Sequence, residues 1–271
     1  MEVIKTKLND LAIGIVLYCP DEGVMERINI INELGLEVFI FDNSPINKFS
    51  FNSVKVHYLG NEKNPGLAEG LKKIASFAHE KGFDSMLYFD QDTLFSEETI
   101  KFVIKILQRN PQIKSSFSAI SITENGPFYK SSSDIEETML IRNSGTIFFL
   151  DNLKKINWFD TSFFVDGVDY EFCLRSKLHK FKIGVIGPAP GFDHVSEQGY
   201  SEYNILSKSL IGREYEFNRL TDVSFSSLRI FVKAVKNLQI IFALRVVKLL
   251  FIFLIMQLIF RISIKKSKSY N

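Results

Sequence analysis

The first 110 residues hold four short apolar runs, three of which pass into a helical pattern, and this alternation narrows the possible fold more than any other feature. Residues 11–18 (LAIGIVLY) are continuously apolar and stop before Pro20, which suits a strand covered on both faces. Residues 23–34 repeat apolar positions at helical spacing and close at Gly35. A second strand, 37–41 (EVFIF), meets the turn-forming Asp42-Asn43-Ser44-Pro45. A third is expected at 54–59, followed by a helix after Pro65 with Leu67, Leu71, Ile74 and Ala78 on one face and Gly82 at its end. The fourth, 85–89 (SMLYF), runs into Asp90-Gln91-Asp92-Thr93; Ser96 then caps a helix with Glu97 and Glu98 in its first turn and Ile100, Val103, Ile104 and Leu107 as its buried stripe. Strand and helix in alternation predict an α/β fold: a mostly parallel sheet with right-handed crossovers and helices on both faces. The second half is less regular, with strands expected at 117–122 and 182–186, apolar segments at 139–141 and 146–150, a short helix from Asp151 and another over 169–180.

In such sheets ligands bind beyond the carboxyl ends of the strands, so chemistry is sought at Tyr18-Cys19-Pro20, Asp42-Asn43-Ser44, 61–66 and 90–93. Asp90 and Asp92 stand two apart at a strand end, where both side chains can turn to one side. Two carboxylates there can hold Mg²⁺ or Mn²⁺, with a substrate diphosphate completing the coordination. A D-x-D triplet arises by chance on the order of once in a chain of this length, so its position between an apolar strand and a capped helix carries the weight. A helix-entry turn alone would account for one aspartate but not for the pair.

Taken in order, LAIGIVLYCP, FDNS, NEKNPGLAEGL, YFDQDT, FFVDGVDYEFCLR and HVSEQG resemble the inverting family-2 glycosyltransferases of GT-A fold, especially bacterial rhamnosyltransferases of polysaccharide assembly, over about residues 10–215. The resemblance implies a GT-A (Rossmann-like) domain over residues 1–222, with a nucleotide-binding half to about 115 and an acceptor half beyond it. It implies that Asp42, Asn64 and Gly66 hold the base and ribose, that Tyr18, Asp90 and Gln91 also belong to the donor site, and that His194 joins Asp90 and Asp92 at the metal. An ordinary Asx turn is the alternative for Asp42-Asn43-Ser44. Asp169 matches the position of the general base, which an acceptor hydroxyl needs because it is a poor nucleophile until a carboxylate takes its proton. Asp166 and Glu171 are its rivals. Arg175 either supports the diphosphate or pairs with Glu171 one turn back. Trp158, with Phe159, Phe163 and Phe164, either stacks on a sugar or packs in the core. His57, His79 and His179 read as structural. The implied donor is dTDP-L-rhamnose and the implied acceptor a saccharide or lipid-linked saccharide, with a UDP-hexose or UDP-galactofuranose donor left open.

Charge separates the chain into two parts. Residues 223–271 carry nine basic side chains and no acidic one, leaving 24 basic against 31 acidic in residues 1–222. The interleaved Leu, Ile, Val and Phe make this tail a match for an anionic membrane rather than nucleic acid, and no helix-turn-helix or strand-borne aromatic pattern supports the latter. Only 12 uncharged residues separate Lys248 from Arg261, about 18 Å of helix, so the tail is expected to lie in the interface rather than span. Packing on the catalytic domain or a homodimer is the alternative. The first ten residues lack the apolar run of a signal peptide, and Cys19 and Cys173 form no disulfide or zinc pattern, so the cytoplasmic face of the membrane is the expected location. A dehydrogenase is disfavoured because no GxGxxG follows the first strand. A catalytically inactive docking module would have no physical need for acids at 90, 92 and 169.

Overall fold

The computed structural model describes residues 10–46, 53–60, 63–124, 135–193, 201–205 and 208–268. The chain divides into two compact units, Met1–Val195 and Ser196–Asn271.

In the first unit β1 (Leu11–Leu17), β2 (Glu37–Asp42), β3 (Val56–Gly60) and β4 (Ser85–Asp90) pair in the order β3-β2-β1-β4, all parallel. Between them run α1 (Gly23–Glu33) and α2 (Leu67–Glu80), and α3 (Glu97–Arg109) follows β4. Every residue of β1 is buried, because alternate side chains meet helices on opposite faces. Leu11, Ile13, Ile15 and Leu17 share a core with Val24, Ile28 and Ile31 of α1 and Ile100 and Val103 of α3. On the other face a Cβ placed on Gly14 would fall 3.0 Å from the Ile74 side chain of α2, and one on Gly70 3.0 Å from Val16. Ala68 and Gly70 thus let α2 settle directly on the sheet. At the start of α3 the Ser96 N–H donates to Thr99 Oγ1 at 3.0 Å, closing the first turn.

The second half adds α4 (Ile113–Ser116), β5 (Phe117–Ile122), β6 (Glu136–Glu137), β7 (Thr146–Phe149), α5 (Leu150–Lys155), α6 (Val168–Leu178) and β8 (Lys182–Ile186). The sheet continues β4-β7-β5-β8-β6, with β7 antiparallel to both its neighbours, β5 parallel to β8, and β6 antiparallel to β8. No helix lies between β5 and β7 among the described residues, and without a crossover a returning strand pairs antiparallel. The sheet is therefore parallel in its first four strands and mixed beyond them.

The second unit holds an antiparallel hairpin of β9 (Ser201–Ile205) and β10 (Lys208–Gly212), then α7 (Phe217–Lys236) and α8 (Ile240–Lys268), which pack on one another. Asp222, where the charge composition changes, falls inside α7 rather than at an element boundary.

Candidate functional site

The carboxyl ends of the four parallel strands are level: Leu17 lies opposite Asp42, Val16 opposite Asp90, and Asp42 opposite Gly60. A run of hydrogen bonds ties the turns that follow. The Tyr18 N–H donates to Gln91 Oε1 at 2.7 Å and Gln91 Nε2 donates back to Tyr18 O at 3.1 Å, linking β1 to β4. Cys19, at φ 46°, donates its N–H to Ser44 Oγ at 2.8 Å, and Asn43 Nδ2 donates to Gly66 O at 3.3 Å. Asn64 Oδ1 accepts the Gly66 N–H at 3.1 Å. Gly66 has φ 95°, and a Cβ there would fall 2.5 Å from the Phe164 carbonyl oxygen, so glycine is required on both counts. The Leu67 N–H donates to that same carbonyl at 2.6 Å, fastening the start of α2 to the loop ahead of α6.

Asp90 ends β4 partly exposed, and Asp92 is exposed. The buried Tyr88 hydroxyl donates to Asp90 Oδ1 at 2.8 Å; Ser144 Oγ accepts the Asp90 N–H at 2.9 Å and lies 2.6 Å from Thr93 Oγ1. Burial above all, then the negative charge of Asp90, pushes the Tyr88 phenol well above its ordinary range, so it remains a donor. The loop tied down through Phe164 leads by Asp166 to Gly167, in the left-handed region at φ 82°, and so to the first turn of α6 with Asp169. Asp169 retains some exposed surface, yet its carboxyl is enclosed, and burial raises its pKa to about 7. The Tyr170 N–H, 2.8 Å from Oδ1, works against that rise, while the nearby charges of Asp166 and Asp90 add to it. A carboxyl poised there can take a proton near neutral pH.

Asp42 is 1% exposed, its Oδ1 accepting the Ser44 N–H at 2.8 Å and its Oδ2 the Tyr58 hydroxyl at 2.5 Å. The carboxylate therefore holds an Asx turn from inside. Glu171 is also 1% exposed and takes Arg175 Nε on both oxygens at 2.7 and 2.8 Å, while Arg175 Nη1 donates to Ile156 O. That pair braces α6 against the chain near residue 156. Trp158 is not brought to the strand ends. It packs edge-on against His79, in the last turn of α2, about 20 Å along the helix from Gly66, and His79 Nε2 is 2.9 Å from Asp151. Phe159 and Phe163 are core; Phe164 is 47% exposed. His57 stacks on Phe39 and pairs with Glu37 at 2.6 Å, a structural role. His194 lies outside the described residues, although Asp193 pairs through its backbone with Leu94, two positions past Asp92.

Sequence reasoning misses Tyr58, Tyr88, Ser144 and the Phe164 carbonyl. Only the position of Tyr88, two residues before Asp90 on the same face of a strand, offered a signal.

No protein-family model matches the chain, and no curated protein does. Similar solved structures exist. TarS from S. aureus, residues 1–349 in complex with UDP-GlcNAc, aligns with TM-score 0.51 and 14% identity over 83% of this chain and 66% of its own. A crystal structure of S. aureus TarS gives 0.50 and 14% over 83% and 40%. GalNAc-T7 with UDP, GalNAc and Mn²⁺ gives 0.51 and 10% over 65% and 42%. The chain thus spans less than two thirds of the length of these neighbours. The fold they share is GT-A, a mixed α/β sheet; this chain also carries an apolar C-terminal helix.

Proposed function

We propose that the chain is an inverting glycosyltransferase that moves a sugar from a nucleotide-sugar donor to a saccharide or lipid-linked saccharide in cell-surface polysaccharide synthesis, with dTDP-L-rhamnose as the preferred donor. One observation carries the reading: on a GT-A scaffold, a partly exposed Asp90 and an exposed Asp92 stand at the sheet's ligand edge, with Asp90 within electrostatic reach of an enclosed carboxyl, Asp169, poised near neutrality. The nucleotide is read at the strand ends around Tyr18, Gly66 and Gln91, with Asn64 shaping the loop and Asp42 holding its turn and Tyr58 from inside. Asp169 takes the proton of the acceptor hydroxyl as that oxygen attacks the anomeric carbon from the face opposite the leaving diphosphate, which inverts the centre. Asp166 lies beside it and keeps its proton affinity up.

The residues present fit a divalent cation. Among the described residues no group of three or more His, Cys, Asp and Glu converges, so Asp90 and Asp92 would be the described ligands, and Mg²⁺ or Mn²⁺ accepts two hard oxygens with diphosphate and water making up the rest. His194 is the candidate third ligand. When bound, the ion neutralises charge on the departing nucleoside diphosphate. The Mn²⁺ and UDP of the GalNAc-T7 structure and the UDP-GlcNAc of TarS support this class of ligand and keep a UDP-sugar as the alternative donor. The basic, apolar tail supports work at the cytoplasmic face of a membrane.

Calorimetry of the purified chain with dTDP-L-rhamnose, UDP-GlcNAc, UDP-galactose and UDP-galactofuranose, each with and without Mn²⁺, tests the reading. Metal-dependent binding and slow hydrolysis of one donor are expected, strongest with dTDP-L-rhamnose. Binding of none overturns the enzyme assignment, and preference for a UDP-sugar overturns the rhamnose assignment alone.

A further inference from the structure

We propose that the second unit attaches the chain to an anionic phospholipid surface as a monotopic helical hairpin whose long apolar helix lies in the interface and does not cross. This gives a means of attachment to the membrane location proposed above and is testable without any transfer assay. Residues 240–262 of α8 are long and apolar enough to cross: 23 residues reach about 34 Å, against a hydrocarbon core of about 30 Å. What α8 is fastened to rules that out.

Its inner face carries polar groups committed to backbone. Gln257 is 3% exposed; its Oε1 accepts the Tyr215 N–H at 2.9 Å and its Nε2 donates to Arg213 O at 3.1 Å. One turn on, Arg261 Nη2 donates to Tyr215 O at 2.7 Å and its Nε lies 3.3 Å from the Glu214 carboxylate. The guanidinium groups of Arg213 and Arg219 each lie 4.6 Å from the centre of the Tyr215 ring. A charged segment is thereby clamped to the last third of the apolar stretch, and α7, with Arg229, Lys233 and Lys236, packs along the rest. Crossing would draw these groups into hydrocarbon or tear the clamp open, leaving peptide groups unpaired where no water can replace the bonds.

The outer face is built for an interface. Leu244, Phe251, Ile255 and Leu258 recur at helical spacing on the exposed side of α8, and Phe225 and Val232 are exposed on α7. Arg245 and Lys248 are exposed beside the α8 stripe, and residues 223–271 contain no acidic side chain. Apolar residues can enter the acyl boundary while the basic ones reach headgroup phosphates. A second copy is the poorer occupant, because a self-complementary contact would bring a face with basic residues and no acidic ones against its own like.

The test uses the full chain with vesicles of phosphatidylcholine, with and without phosphatidylglycerol. Co-sedimentation should be about tenfold or more stronger with phosphatidylglycerol and fall in high salt, and Arg245→Gln with Lys248→Gln should cost about tenfold or more. Phe251→Ser with Ile255→Ser should weaken binding without changing the far-ultraviolet dichroism, since both side chains are exposed. A Phe251→Trp variant should be quenched best by lipids brominated near the headgroup, at a depth of about 5–10 Å. Best quenching at the bilayer centre makes α8 a span and overturns the proposal; so does binding indifferent to lipid charge and to both pairs of substitutions, or a lipid-indifferent dimer that the Phe251/Ile255 variant dissociates. Calorimetry of donor binding without vesicles keeps failure of this proposal separate from failure of the catalytic one.

Discussion

β2 and β4 end alike, each in an aspartate that accepts a hydrogen bond from a tyrosine hydroxyl, Tyr58 to Asp42 at 2.5 Å and Tyr88 to Asp90 at 2.8 Å. Beyond that they diverge. Asp42 is 1% exposed and spends its other oxygen on the Ser44 N–H, whereas Asp90 reaches the surface and is followed by an exposed Asp92. An acid at the end of an apolar strand is thus an ambiguous signal: facing inward it builds the turn, and facing outward with a second acid it offers the carboxylates that the proposed function assigns to a cation and a diphosphate. At these two strand ends it is the remaining access to solvent that differs.

The strongest way to break this contrast is Asp92→Asn. Transfer should fall by about three orders of magnitude, in line with the several kcal/mol that charge neutralisation at a leaving diphosphate supplies, and Mn²⁺ binding followed by electron paramagnetic resonance should weaken. The melting temperature should not move, because the side chain is exposed. Full activity, or activity that survives EDTA, would make the two strand ends equivalent.

Asp169→Asn comes next, with turnover lower by about 10²–10⁴ and donor affinity little changed. In the wild type turnover should rise with pH through about 7 and then level, as the base loses its proton. Stability runs the other way. The folded pKa is raised above the ordinary 3.8, so the carboxyl's contribution is fully present below about pH 4 and is lost as pH rises through about 7. Urea unfolding should therefore find the wild type losing stability relative to Asp169→Asn between pH 4 and pH 8. A pH-independent difference would mean that Asp169 is not enclosed, and normal turnover in the variant would pass the role to Asp166 or Glu171.

Asp42→Asn should act on the fold instead, costing about 1–3 kcal/mol because buried partners lose a charged acceptor, with less than about tenfold change in transfer by the folded enzyme. Unchanged stability with donor binding lost would show that the carboxylate itself meets the donor.

The four parallel strands and their three helices are legible in the sequence because a strand buried on both faces leaves an unbroken apolar run, and because Ser96, Gly35 and Gly82 mark helix ends through local backbone demands. Asp90 and Asp92 are singled out by their pairing at the end of an apolar strand, and Asp169 by its place in FFVDGVDYEFCLR, through the resemblance that segment carries. What escapes is decided at long range. β7 slots between β4 and β5 through pairing partners more than twenty residues away, and Ser144 matters only because it meets the Asp90 N–H, 54 positions earlier. The aromatic group around Trp158 is visible, but composition does not say at which edge of the sheet it lies. The same holds for the tail, whose apolar length is plain while the clamp from Gln257 to the backbone of residues 213–215 is not.

The smallest expected effect sharpens the contrast most finely, because it changes one hydroxyl on each side. Tyr88→Phe keeps the ring in a fully buried slot and removes only the donor to Asp90 Oδ1. The phenol is not required to ionise, since burial and the charge of Asp90 keep its proton on. Its contribution is therefore orientation: it holds the carboxylate from one side while Ser144 fixes the backbone beneath it. Loss of such a partner weakens metal affinity by about tenfold or somewhat more, and saturating metal should return turnover to within a few-fold of wild type. Tyr58→Phe, the matching change at Asp42, should lower stability yet leave Mn²⁺ affinity where it was. Equal loss of Mn²⁺ affinity in both variants would mean that the two strand ends share one site; no loss in either would mean that Asp90 is held by Ser144 alone or that the cation does not bind there, and Mn²⁺ titration of Ser144→Ala, which should then show a loss only in the first case, separates the two.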